Sequence, residues 1–501
     1  MNITARAKKY WAVFMAGRRG GIAPFFFLNF LLAVLQALYI LSRFKYINQE
    51  VPFWFGKHWG EYQLAPKQYL YYIPMLSGGL TFIASLLRYI NRLYLRYFDE
   101  LLSYFVTSIN VFLFYSIFFI IQSASLPFPP LVPAKFLLLA PPFILSFLIV
   151  YFALPYVIDL AHKKRLVTDP KVHTHPAMIL SGPSARGGGL VYALVFLLVS
   201  VVFVGINRQF FGIYLSVFML AILGIMDDYQ NTHPLSEFRV LENPFLRLTL
   251  LFLCVLPLLV SGSVVSTISI PFNGFMQLDT MKISLGSITV PVISAVLTVI
   301  WVVWLMNALS WSNGIDGQYA GVIGISSIFV AILALRFSNI QPIHKSIAVM
   351  AAISAGAAFG FTKYTWHPSK IMWGFGAMSA GLVIAALSII VQTKVLVSVL
   401  FILIPFLDAL VTFFRRLLQG KNPLTGDRGH LHHLLLDRGW SVQKIARFYW
   451  FTAFIFGLIG LLSPEKHLVK LSLTIIGAVG FFIALLNLKS LGQKKMTLRS
   501  E

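Results

Sequence analysis

A chain of 501 residues whose only cysteine, Cys254, sits in an apolar run can form no internal disulfide and no cysteine-based zinc site. Charge is also scarce: 11% of the residues are Asp, Glu, Lys or Arg, against about 25% in an ordinary soluble protein. Acids are scarcest, 17 against 40 Lys and Arg. Apolar residues fill the space: 58% of the chain is hydrophobic and the mean hydropathy is +0.80. Windows of about 20 apolar residues recur along most of the length, each able to cross roughly 30 Å of hydrocarbon as a helix. The alternation of a membrane barrel is missing. An all-α, polytopic integral membrane protein is expected.

The formal net charge of +23 would point to nucleic acid in a soluble chain. Here Lys and Arg gather in every second loop, as the positive-inside rule asks. The expected partner is therefore the lipid bilayer and not nucleic acid, and the same charge can draw anionic substrates and lipid headgroups. The basic start, "MNITARAKKY" and "GRRGG", leads into a span with no small-residue cleavage pattern after it, which argues against a cleavable signal peptide.

Lys8, Lys9, Arg18 and Arg19 place the N-terminus inside, before a first helix at about residues 23–43. Two more spans, at about 68–90 and 100–122, precede the proline-rich break "SLPFPPLVPAK". Residues 1–130 read as a three-helix transmembrane module of unknown role, for which partner docking is a guess. About eleven further spans follow in residues 131–501, giving about fourteen in all. The loop around residues 264–288, on the outer side, hints at a small hairpin in "TISI" and "SITV" and receives no chemistry.

The loops placed inside hold the chemically interesting residues. "GIMDDYQN" closes an apolar helix with Asp227 and Asp228. Two carboxylates at a helix C-terminus, where the dipole disfavours negative charge, call for a compensating cation, although a solvated helix exit is the plain alternative. "NALSWSNGIDG" sets Asn307, Ser310, Asn313 and Asp316 between two spans, as a binding mouth or a simple turn. "DPKVHTHP" followed by "SARGGG" puts Lys171, His173, His175 and Arg186 beside three glycines, a weak anion-wrapping signal. "GDRGHLHHLLLDRGWS" carries Arg428, His430, His432 and His433. With six Lys and Arg against two Asp in residues 413–445, an anion site fits this segment better than zinc, and an interfacial basic helix remains the plain alternative.

In their order these loops, with "HPSKI", resemble those of the polyprenyl-phosphate N-acetylhexosamine-1-phosphate transferases, over residues 140–490 or so. The resemblance implies a reaction in which polyprenyl (undecaprenyl) phosphate attacks the sugar-linked phosphorus of a UDP-amino sugar and releases UMP, initiating cell-envelope glycan synthesis at the cytoplasmic face of the cell membrane. It implies Mg²⁺, or Mn²⁺, held by Asp227 and Asp228, catalysis by these acids with His430, His432 and His433, and substrate contacts from Lys171, His173, Arg186, Asn307, Asn313, Asp316 and Arg428. A homodimer is open. Three positions depart from the family pattern: Ser310 and Asn313 replace an asparagine and an aspartate, and Phe375 stands where the aspartate of Gly-Asp-x-Gly-Ser, a Mg²⁺ ligand, is expected. Either the acidic pair and substrate phosphates suffice for the metal, or the scaffold binds lipid phosphate or nucleotide sugar without efficient turnover. A secondary transporter or flippase is the remoter reading, because it would need ionisable sites near the bilayer midplane.

Overall fold

In the computed structural model the described residues are 22–54, 61–90, 96–124, 134–170, 182–233, 235–270, 274–285, 288–336, 341–390, 395–423, 428–463 and 465–500. Among the described residues the fold is all-α, with four short two-stranded antiparallel sheets. The chain divides into two compact units, Met1–Ala134 and Lys135–Glu501.

The first unit is built on α1 (Ile22–Arg43), α2 (Tyr72–Ile90) and α3 (Arg96–Ala124). A hairpin of β1 (Glu50–Pro52) and β2 (Leu64–Pro66) lies between α1 and α2 in the chain. Apolar packing around Ile40, Leu70 and Ile117 is joined by a neutral polar cluster. Asn110 donates to Asn29 Oδ1 at 2.8 Å and Thr81 Oγ1 at 3.0 Å, Asn29 donates to Thr107 Oγ1 at 2.9 Å, and Gln36 donates to the Asn110 carbonyl at 3.0 Å. Amides that bond across helices in this way tie apolar spans together where water is absent.

The second unit begins its long helices with α4 (Ala140–Lys163), α5 (Gly188–Val204), α6 (Arg208–Thr232) and α7 (Pro244–Ser261). It continues with α8 (Val292–Trp311), α9 (Gln318–Ala334), α10 (Pro342–Gly360) and α11 (Ala377–Ile390). Local signals set several starts. Asn207 Oδ1 accepts from the Phe210 amide, and Asn243 Oδ1 accepts from Phe245 at the head of α7, where Pro244 takes the first helical position. The apolar stretch after α11 breaks at Ile402 into α12 (Val395–Phe401) and α13 (Leu403–Leu418). A short α14 (Leu431–Leu436), then α15 (Val442–Leu462) and α16 (Glu465–Ser500), complete it.

Ten helices among the described residues are long and apolar enough to cross a membrane, three in the first unit and seven in the second, where the hydropathy suggested about fourteen spans. The shorter apolar helices α5, α9 and α11 stand beside them. Every residue of α11 is buried, and α9 packs against both α10 and α15. Small residues along α10, "AVMAAISAGAAFG", permit that close approach. The segment expected to hold a hairpin holds two, β5 (Thr267–Ile270) with β6 (Gly274–Gln277), and β7 (Lys282–Leu285) with β8 (Ile288–Pro291).

One feature of the backbone positions the site. After α10 the segment 370–373 is laced onto the junction of α5 with β4 (Ser184–Ala185), the partner of β3 (Val167–Thr168). Ala185 donates to the Lys370 carbonyl at 3.1 Å, Met372 donates to that of Ala185 at 2.8 Å, and Gly189 donates to that of Trp373 at 2.9 Å. The Trp373 ring is buried against Tyr192, Tyr319 and Phe361, which anchors the loop to α5, α9 and the end of α10.

Candidate active site

Asp227 and Asp228 end up buried near the end of α6, at 3% and 1% exposure. A carboxylate withdrawn from water needs a full set of donors. Asp228 Oδ1 accepts from Arg186 Nη1 at 3.1 Å and from the Phe375 amide at 3.3 Å, and its Oδ2 accepts from the Gly187 amide at 3.1 Å. Asp227 Oδ1 accepts from Arg247 Nη2 at 2.9 Å and Gln230 Nε2 at 3.1 Å, and its Oδ2 accepts from Asn231 Nδ2 at 2.8 Å. Arg186 is braced by Thr168 Oγ1 at 2.5 Å and Arg247 by the Leu241 carbonyl at 2.8 Å. Gly374, at φ +60°, is required here twice over: the backbone is left-handed, and a Cβ would overlap the Asp228 carboxylate.

The loop between α8 and α9 reaches the same region. Asp316 Oδ2 pairs with His367 Nδ1 at 2.8 Å and accepts from the Ser369 amide at 3.1 Å. Gly314 lies so close to the His432 ring that a side chain there would collide with Nε2. A run of direct contacts thus passes from Asp228 through Phe375 and the 366–376 loop to Asp316, and from Gly314 to the histidines.

At that second pole His430 Nδ1 pairs with Asp408 Oδ2 at 3.0 Å, and Asp408 Oδ1 accepts from the Leu431 amide at 2.7 Å, fixing the start of α14. The rings of His430 and His432 stack at 5.7 Å, and that of His433 follows at 4.3 Å from His432. Burial holds His432 well below the usual histidine value, helped by His433 and His430. Burial likewise lowers His433 to about 4, with Arg428 and His430 adding to it against Asp437 and Asp408. Both rings are therefore neutral at pH 7. Among the groups described so far, the fixed positive charge is that of the guanidinium groups.

The structure brings Asp227, Asp228, Arg186, Asp316, His430, His432 and His433 into this contiguous set. Asn307 is turned onto its own helix, donating to the Val303 carbonyl at 2.8 Å, and the Asn313 amide closes the turn on Ser310 at 3.1 Å. Arg428 is half exposed and reaches Asp437 at 3.5 Å. Lys171 and His173 lie outside the described residues. Three participants were not singled out from sequence: Arg247, His367 and Asp408. Asp408 is an isolated acid within "FILIPFLDALVTFF", and such an ionisable group in an apolar helix is a site signal by default. Arg247 gives a similar signal in the first turn of α7.

A Mg²⁺ or Mn²⁺ ion at the acidic pair would need near-octahedral oxygen ligation. The residues present do not fit it. All four carboxylate oxygens already accept from protein donors, two of them guanidinium groups, and Phe375 offers no oxygen from its side chain. Among the described residues no group of three or more His, Cys, Asp or Glu is arranged to hold a metal.

Residues 210–392 match the family model described as glycosyl transferase family 4, a stretch that includes Asp227, Asp228, Arg247, Asp316 and Phe375. A probable undecaprenyl-phosphate N-acetylglucosaminyl 1-phosphate transferase of Bacillus subtilis is 28% identical over 357 residues, covering 69% of this chain and 90% of that protein. A decaprenyl-phosphate N-acetylglucosaminephosphotransferase of Mycolicibacterium smegmatis is 27% identical over 220 residues, covering 39% and 54%. A phospho-N-acetylmuramoyl-pentapeptide-transferase of Caldanaerobacter subterraneus is 22% identical over 308 residues, covering 61% and 90%.

Proposed function

We propose, from the match of residues 210–392 to the model described as glycosyl transferase family 4 and from the likeness to the transferases above, that this chain moves a sugar 1-phosphate of the N-acetylhexosamine class from a UDP-sugar to polyprenyl phosphate. An oxygen of the lipid phosphate attacks the sugar-linked phosphorus, the bond to the bridging oxygen breaks, and UMP leaves with the electron pair. The product is a lipid-linked sugar diphosphate of the kind that starts cell-envelope glycans. The site faces the cytoplasm, where the soluble donor is found.

The observation that carries this reading is the convergence of Arg186, the acidic pair, Asp316 and the histidines near the ends of apolar helices and in the segments that join them. A lipid phosphate anchored in the membrane and a water-soluble nucleotide can meet only at such a boundary. Phosphoryl transfer asks chiefly for positioning and charge stabilisation. Arg186 and Arg247 supply fixed positive charge, while His432 and His433 can donate as neutral rings. The same convergence counts against a transporter, whose ionisable groups belong near the midplane; Asp408, though in an apolar helix, is tied to His430.

The test is release of UMP from UDP-N-acetylglucosamine by the full chain in detergent micelles with undecaprenyl phosphate. UMP release that depends on the lipid is expected and is lost in His432→Ala. Phe375 favours a second reading, a homologue that binds without turnover. Nucleotide-sugar binding with no UMP above background, at any metal concentration, would select it and overturn transfer.

A further inference from the structure

We propose that the acidic pair of this chain binds no divalent ion and that Arg186 and Arg247 take its place, so that the donor is held without added metal. The part concerning the donor rests on the function proposed above; the part concerning the metal does not.

Charge comes first. Two carboxylates face two guanidinium groups, Arg186 with Asp228 at 3.1 Å and Arg247 with Asp227 at 2.9 Å, so the buried group is already neutral. A dication added there would leave two excess positive charges in a site that water barely reaches, next to guanidinium groups that repel it. Ligation comes second: each Oδ1 of the pair already accepts two protein donors and each Oδ2 one, so an ion has at most one unused lone pair on each Oδ2.

The third observation concerns Phe375. The guanidinium of Arg247 lies over its ring, 5.4 Å from the centroid. A cation is favoured over an aromatic face, so the ring that removes a metal ligand also holds the arginine that takes over the charge. An aspartate at 375 would offer neither the ring nor the apolar wall. The replacement is therefore concerted: loss of the oxygen ligand and retention of the guanidinium belong to one arrangement.

Donor capacity is the fourth. A guanidinium has five N–H groups. Arg186 spends N–H groups on Thr168 and Asp228, and Arg247 on Leu241 and Asp227. Their side chains remain 16% and 33% exposed, so the remaining N–H groups can reach a phosphate from outside the buried pair. As the bond to the departing UMP breaks, negative charge gathers on its phosphate, and these donors offset it. No proton transfer to a metal-bound water enters the step.

The experiment uses the full chain in micelles and Mn²⁺ alone as the metal probe, followed by electron paramagnetic resonance with no nucleotide present. We expect no bound Mn²⁺ up to millimolar concentration. One Mn²⁺ per chain that disappears in Asp228→Asn overturns the proposal, and the wild-type measurement stands even if the variant fails to fold. In a second arm, UDP-N-acetylglucosamine binding is measured calorimetrically in Mg²⁺ and in EDTA. Affinities within twofold of each other are expected, with a loss of tenfold or more in Arg247→Ala. A tenfold loss in EDTA for the wild type overturns the proposal. Absence of donor binding under both conditions removes the proposed function, while the Mn²⁺ result still decides the metal.

Discussion

At one pole of the site two carboxylates are buried, each met by a guanidinium; at the other, two imidazoles are buried as neutral rings, and His430 is paired with the carboxylate of Asp408. Burial penalises a charge in both places. Arginine cannot give up its proton, so each acid of the pair keeps a cation beside it. Histidine can, and where burial outweighs its neighbours it does. One mouth therefore offers permanent positive charge on one side and uncharged donors and acceptors on the other.

The most damaging change to that contrast is Arg186→Ala. It strands the Asp228 carboxylate, at a cost of about 3–5 kcal/mol for a buried pair that loses one partner. Thermal unfolding in micelles should show the loss. Adding Asp228→Asn should recover most of the stability and none of the transfer; recovery of both would mean that the pair is structural only.

Asp408→Asn acts on the other pole. The amide can still accept from the Leu431 amide but cannot hold His430 as a carboxylate does, and transfer is expected to fall about 10- to 100-fold, by analogy with the groups that orient metal-bound imidazoles. Asp408→Glu should recover part of it. An unchanged rate at every pH would show that His430 needs no positioning.

Acid should separate the poles without mutation. His432 and His433 sit below the histidine value of the unfolded chain, so the unfolded state takes up more protons. Their stabilising contribution is present above about pH 6.5 and is lost as the pH falls through that value towards about 4. The slope is at most about 1.4 kcal/mol per pH unit for each proton bound. Between pH 7 and 5 the melting temperature of the wild type is expected to fall relative to that of His433→Gln, and an unchanged difference would mean that burial does not hold His433 neutral.

The smallest effect belongs to the first unit, where Asn29, Thr81, Thr107 and Asn110 join its helices through hydrogen bonds between neutral groups. Asn110→Ala should cost about 0.6–2 kcal/mol, as for hydrogen bonds between membrane helices, and leave transfer as it was. A loss of transfer at full stability would give this unit a part in the reaction.

What the amino-acid order determined by itself is what depends on near neighbours. The helical class, the three apolar runs ahead of the proline-rich break, and the caps at Asn207 and Asn243 all follow from hydropathy and local signals. Tertiary structure decided the rest. Hydropathy does not reveal that residues 395–418 break at Ile402, or that α5, α9 and α11 are short central helices. Nor can it say whether a carboxylate has room for an ion, because Asp228 receives its donors from Arg186 and from Phe375, 42 and 147 residues away. The charge on His432 likewise depends on how much water its neighbours exclude. Desolvation and pairing are set by whatever packs around a group, and in this chain that packing comes from helices far apart in sequence.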